Sequence, residues 1–169
     1  MRNWAKIAIL VLTLAFIDHS CGIYSFSGAS IPAEAKTVSV AYFPNHAQLV
    51  NPMLSNDFTN ALRDAMTNQT TLDMVESGGD IAFEGEITDY RTTPVAITSG
   101  QTAAMNRLTI TVKVRFSNRF DETKDFEQSF SHYEDYPSDQ DLNAVQGSLT
   151  PVIIEALVED IFNKALVNW

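Results

Sequence analysis

Apolar and polar side chains alternate most cleanly over residues 108–117. Leu108, Ile110, Val112, Val114 and Phe116 interleave with Thr109, Thr111, Lys113, Arg115 and Ser117. A period of two with one apolar face predicts a strand half-buried against a core. The same period recurs over 81–90, where Ile81, Phe83 and Ile87 face one way and Glu84, Glu86 and Thr88 the other. Gly85 falls on the inward face, which predicts a bulge or a close neighbour above it. Thr37 to Phe43 predicts a first strand, with Val38, Val40 and Tyr42 on one face and Pro44 ending it. Lys124 to about Tyr133 predicts the last strand, with Phe126 and Phe130 inward and Gln128 between them. Thr71 to Val75 is a candidate short strand before the turn Ser77-Gly78-Gly79-Asp80.

Two segments change period. After the start signal Asn51-Pro52, Leu54, Phe58, Ala61, Leu62, Ala65 and Met66 form one helical stripe that should end near Asn68. Leu142 to Val167 predicts a second helix with Pro151 as a candidate break. Its apolar stripe (Ile153, Ile154, Leu157, Ile161, Ala165, Leu166) is broad enough to demand a sheet beneath it. Residues 91–106 and 134–141 are expected to be connections. The order predicts an α+β domain: a small, mostly antiparallel four-stranded sheet, mixed in the alternative, with two helices packed on one face. The alternation leaves the second sheet face polar and open to solvent.

The chain before this domain has another logic. Arg2 and Lys6 precede the eleven-residue run Ile7 to Ile17, apolar except for Thr13, too short for a membrane span and right for a secretory signal. Cys21, the one cysteine in the chain, follows at the expected cleavage point, so residues 1–20 read as a lipoprotein signal and Cys21 as the lipid attachment site. Diacylglycerol on its thiol and a further acyl chain on its freed amino group would give stable anchoring, where a single chain gives marginal binding. Asp18 stands three before the cysteine, where an apolar residue is usual. Gly22 follows it with no acidic cluster, which points to the outer membrane with the domain facing the periplasm. Residues 21–36, rich in Gly, Ser and Ala, read as a lipidated tether, and 37–169 as the folded domain.

Composition then removes function classes. The 169 residues suffice for one domain, and a net charge of -10 argues against nucleic-acid binding, which needs clustered cations. A single cysteine excludes an intrachain disulfide framework and a multi-thiolate zinc site. His46 and His132 read as surface residues, and no nucleophile–base motif or phosphate-cradling loop is present. Asp135, Asp139 and Asp141 lack the spacing and central glycine of a calcium loop. No catalytic residue, no metal and no cofactor beyond the covalent lipid is expected, and an enzyme is not. Lys113 and Arg115 share the outward face of the central strand, flanked by Arg107 and Arg119. Such a strip either meets an anionic glycolipid or is neutralised across strands by Glu84 and Glu86.

Several segments together resemble a known family. They are Cys21-Gly22-Ile23-Tyr24-Ser25-Phe26-Ser27-Gly28, Ala61-Leu62-Arg63-Asp64, Phe83-Glu84-Gly85-Glu86-Ile87, Thr93-Pro94-Val95-Ala96, Asn106-Arg107-Leu108-Thr109-Ile110-Thr111-Val112 and Asp160-Ile161-Phe162-Asn163-Lys164-Ala165. In this order they resemble the LptE family of lipopolysaccharide-assembly lipoproteins, in its Bacteroidetes form. The resemblance implies a lipid-anchored α+β domain in the outer membrane that plugs the lumen of the β-barrel LptD and helps it assemble. It also implies a role in lipopolysaccharide transport, with lipopolysaccharide itself a possible ligand. Lys113 and Arg115 are then the candidate lipopolysaccharide contacts. The alternative is a structural lipoprotein subunit of another outer-membrane secretion or protein-insertion complex.

Overall fold

A computed structural model describes residues 31–49, 51–95 and 104–167 of the chain. The signal, Cys21, most of the tether and the centre of the 91–106 segment therefore lie outside the described residues. The elements run β1 (Thr37–Val40), α1 (Leu54–Gln69), β2 (Asp73–Val75), β3 (Ile81–Val95), β4 (Met105–Asn118), β5 (Phe126–Pro137) and α2 (Leu142–Leu166). The sheet has five strands in the order β2-β1-β3-β4-β5. β1 lies parallel to both β2 and β3, while β3, β4 and β5 form an antiparallel meander. The fold is α+β as expected, but the short 71–75 segment supplies a fifth strand, and the parallel pairing of β1 with β2 and β3 makes the sheet mixed. The crossover through α1 brings β2 back parallel beside β1, as a strand–helix–strand unit requires.

Both helices pack side by side on the apolar face. Val38, Val40, Ile81, Phe83, Ile87, Leu108, Ile110, Val112, Val114 and Phe116 meet Leu54, Phe58, Leu62 and Met66 of α1 and Ile153, Leu157 and Ile161 of α2, all essentially buried. α2 runs through Pro151 without a break, which differs from the candidate break there. The donor that proline lacks would have reached the carbonyl of Gly147, an exposed residue, so the bond lost is one that solvent can reach. Asp141 starts the helix by accepting a bond from Asn143 N–H at 2.8 Å.

Three boundaries moved, each for a physical reason. The β1 ladder ends at Val40, and the chain then turns so that Phe43, not Tyr42, enters the core; Tyr42 is 54% exposed. Phe43 N–H donates to the buried Thr59 hydroxyl of α1 at 3.1 Å, and its ring packs edge-on against Phe58 at 5.1 Å. α1 begins two residues after Asn51-Pro52: the Asn51 side chain accepts from Met53 N–H in a turn before the helix rather than capping it. The 91–106 and 134–141 connections are partly strand. Arg91 to Val95 pairs with Met105 to Thr109, and Glu134 to Pro137 extends β5, burying Tyr136. Backbone pairing carries the meander beyond the apolar stretch that reveals a strand in sequence.

Gly85 has the close neighbours its position predicted. A Cβ there would stand 2.6 Å from Phe43 Cε1 and closer still to the Lys113 carbonyl oxygen. The predicted bulge also exists, but three residues on, between Ile87 and Asp89. It leaves Thr88 without a cross-strand partner, turns Tyr90 into the core, and puts Asp89 and Arg91 on the open face.

Candidate functional site

With both helices on one side, the other face of the meander is left uncovered by the described residues. Three consecutive strands supply it. Across them Glu84, Arg115 and Glu127 stand in one row, Glu86, Lys113 and Ser129 in the next, and Asp89, Thr111 and Ser131 in the third. Arg91, Thr109 and Tyr133 follow, then Thr93, Arg107 and Asp135. The period of two in each strand, corrected by the bulge in β3, aligns these side chains.

The charges are largely paired within the face. Lys113 bonds Glu127 on β5, which raises the lysine pKa and lowers that of the glutamate. Arg107 grips Asp135 with two bonds of 2.7 and 2.9 Å. Its hydrogen bonds to that carboxylate raise its own pKa and hold the carboxylate below its ordinary range. The guanidinium also lies 3.5 Å over the Tyr133 ring, a cation–π contact. Arg91 pairs with Asp89, and the Thr111 and Ser131 hydroxyls bond each other at 3.0 Å. Arg115 is the looser cation: it approaches Glu84 only to 3.9 Å, and its side chain is 66% exposed.

The structure therefore brings Lys113 and Arg115 together beside a shallow depression of about 280 Å³ lined also by Pro44, Glu84, Gly85, Glu86 and Glu127. An anion reaching it would meet Arg115 first and would have to compete with Glu127 for Lys113. Pairing across the sheet does occur as the neutralising alternative foresaw, but Lys113 takes its partner from β5, not from Glu86. The Arg107–Asp135–Tyr133 cluster was not singled out from sequence. Its signal was the parity of β5, readable once that strand is carried past Tyr133.

His46 and His132 each stand beside a carboxylate. His46 Nδ1 lies 3.3 Å from Glu86, and His132 Nε2 lies 3.1 Å from Asp160, tying β5 to α2. Among the described residues no group of three or more His, Cys, Asp or Glu is placed to hold a metal, and no helix is long and apolar enough to cross a membrane. Most of the broad apolar stripe of α2 is covered by β4, β5 and α1, while Ile154, Val158 and Phe162 keep an edge toward the surface between the two helices.

A second constellation sits where β1 and β3 begin. Asp80 accepts from the Lys36 and Thr37 backbone N–H groups at 3.0 and 3.1 Å and from the Thr37 hydroxyl at 3.0 Å. These bonds, the Lys36 one foremost, hold its pKa below the usual carboxylate value. This is a fastening of strand ends, not a ligand site.

The model of the lipopolysaccharide-assembly family LptE matches residues 35–165, which spans the whole described sheet, α1 and all but the last residue of α2. The chain belongs to the LptE family. Its members are membrane-associated, non-enzymatic lipoproteins of lipopolysaccharide assembly. Among curated proteins, none matches the chain in sequence. Among solved structures, a minor lipoprotein of Acinetobacter baumannii is 15% identical, with a TM-score of 0.50, covering 77% of this chain and 91% of that one. A hypothetical protein of Chlamydia trachomatis is 8% identical, with a TM-score of 0.52 and coverage of 79% and 99%. A putative neuraminyllactose-binding hemagglutinin homolog of Helicobacter pylori is 5% identical, with a TM-score of 0.54 and coverage of 80% and 86%. At such identities these likenesses speak for the fold of this LptE-family chain and for nothing further.

Proposed function

We propose that this LptE-family protein is anchored in the outer membrane by lipid on Cys21 and acts as plug and assembly partner of an LptD-type β-barrel, in the translocon that delivers lipopolysaccharide to the cell surface. The observation that carries the reading is the family match over residues 35–165, because it embraces every element that builds the open sheet face. That face supports the reading physically. It is wide and charge-paired, with many short polar side chains, and so suits a polar lumen wall. Residues 1–20 act as the signal, and residues 21–36 link the lipid to the domain.

In this reading Lys113 and Arg115 contact lipopolysaccharide phosphates. Arg115 makes the first contact, and Lys113 exchanges Glu127 for the phosphate, so the contact is transient by construction. The test is a mild-detergent isolation of the intact lipoprotein from outer membranes, with identification of what accompanies it. One large β-barrel in near-equal amount is expected. Recovery of a different machine, or of no barrel, refutes the assignment. For the glycolipid contact, Arg115→Glu should weaken retention of lipopolysaccharide by the purified complex several-fold. Unchanged retention would remove Arg115 from the reading.

A further inference from the structure

The helix layer carries a groove that neither the open sheet face nor the lipid anchor uses. It runs between α1 and α2 and encloses about 870 Å³. Its floor is apolar, made by Ala61 and Ala65 on α1 and by Ile154, Val158 and Phe162 on α2. Its rims are acidic: Asp57 and Asp64 stand on one side, Glu155 and Glu159 on the other. No ion pair forms at any of these four carboxylates among the described residues.

The cations of the two helices point elsewhere. Arg63 donates to the Val40 carbonyl at 2.8 and 3.2 Å, and Lys164 lies 5.8 Å over the Phe126 ring on β5. Both positive charges are thus committed to the sheet, and the groove keeps unbalanced negative charge around an apolar floor. We infer that this groove is a docking site for a cationic amphipathic helix of a partner protein, its apolar ridge on the alanine-lined floor and its Lys or Arg residues against the two acidic rims. A helix with charges flanking an apolar seam fits such a groove as in helix-in-groove recognition and coiled-coil pairing. The small Ala61 and Ala65 side chains let its backbone come close. From Asp57 to Gln69 the rim is about 18 Å long at 1.5 Å per residue, which matches roughly twelve helical residues.

Charge also decides against other occupants. The segment 22–35 of this chain contains no Lys or Arg, and a second copy of a chain with net charge -10 brings like charge. A phosphorylated glycolipid would be repelled. The inference is independent of the lipopolysaccharide contact proposed for the sheet face.

The test uses the intact lipoprotein in its membrane. A photoreactive side chain replaces Asn60 in the groove, and another replaces Glu122 in a distant exposed turn as control. The expected result is a crosslink from position 60, well above the control, to a basic amphipathic helix in another protein. Its yield should fall about tenfold in an Asp64→Lys, Glu155→Lys double variant, as loss of two rim charges predicts. Reversing the charge of the matching Lys or Arg residues on the captured helix should restore it. The isosteric Asp64→Asn, Glu155→Gln pair, which removes charge and keeps shape, should lower the yield in the same direction if the lysine variant does not fold. Crosslinks to lipid, to this chain itself, to a second copy or to a neutral or acidic segment would overturn the inference. So would a yield no higher than the control or indifferent to rim charge. Recovery of the barrel without this crosslink would overturn the groove proposal alone and leave the plug assignment standing.

Discussion

Two glycine substitutions in this fold should have opposite signs. Gly85 sits in β3 beneath Phe43, where a Cβ would stand 2.6 Å from that ring and nearer still to the Lys113 carbonyl of β4. An alanine there must push a backbone carbonyl, not the tip of a flexible side chain. Overpacking of this kind costs about 1–3 kcal/mol. Reduced freedom of the unfolded chain returns only about 0.4–1 kcal/mol. With rigid backbone as the obstacle the upper part of the range applies, so Gly85→Ala should lose about 2 kcal/mol. Gly147 lies on an exposed turn of α2 with nothing within 4 Å of its would-be Cβ. There Gly147→Ala should gain about 0.5–1 kcal/mol from helix propensity. In a domain of this size each kcal/mol shifts the melting temperature by about 4 °C. Urea unfolding of the protein, followed by circular dichroism, reads both as midpoint shifts at constant slope. A Gly85→Ala variant as stable as the parent would refute the close approach of β3, β4 and Phe43, and a destabilised Gly147→Ala would refute the open surface of α2.

Other expectations follow from single contacts. Leu157, fully buried between α2 and the sheet, should cost about 2–5 kcal/mol when changed to Ala, read as a lower urea midpoint. Tyr90→Phe should lose about 0.5–1.5 kcal/mol, since the buried phenol donates to Gln146 at 3.1 Å. The Thr150 hydroxyl is buried and has no hydrogen-bond partner among the described residues, so Thr150→Val should be neutral or raise stability by about 1 kcal/mol; a clear loss would mean the hydroxyl is satisfied. Asp80 has a pKa lowered in the folded state by the Lys36 backbone bond and the Thr37 bonds. Its stabilising effect is therefore complete above the unfolded carboxylate pKa of about 3.9 and is lost as pH falls through that value toward the lower folded one. The stability gap between the parent and Asp80→Asn should be widest near neutral pH and close on acidification below about pH 4. A gap constant from pH 7 to pH 2.5 would refute the assignment.

The alternation of Leu108 to Phe116 and the helical stripe of Leu54 to Met66 determined by themselves that a sheet would bury one face under helices. Both signals come from side-chain periodicity, which is local, and the burial of those residues follows it, with the half-buried Ala61 the exception. The position of Gly85 on an inward face also carried its meaning, because a missing side chain in a buried row implies a close neighbour. What local pattern could not reach was decided by pairing between distant segments. β2 is a strand because β1 offers it a parallel edge, since three residues of weak preference hold no strand alone. Arg91 to Val95 and Glu134 to Pro137 became strand because the meander extends its backbone ladder past the last apolar residue. The bulge at Thr88 was hinted at by the three-residue step from Ile87 to Tyr90, yet only the pairing with Thr111 shows which side chains it delivers to the open face. Lys113 and Arg115 were legible as outward cations, but their partners were not. Glu127 and Glu84 come from different strands, and the choice among nearby carboxylates depends on angstroms of stagger that sequence spacing does not contain. The acidic groove is the extreme case: the carboxylates of its two rims lie 91 to 102 residues apart in sequence, and only the side-by-side packing of α1 and α2 turns them into one surface.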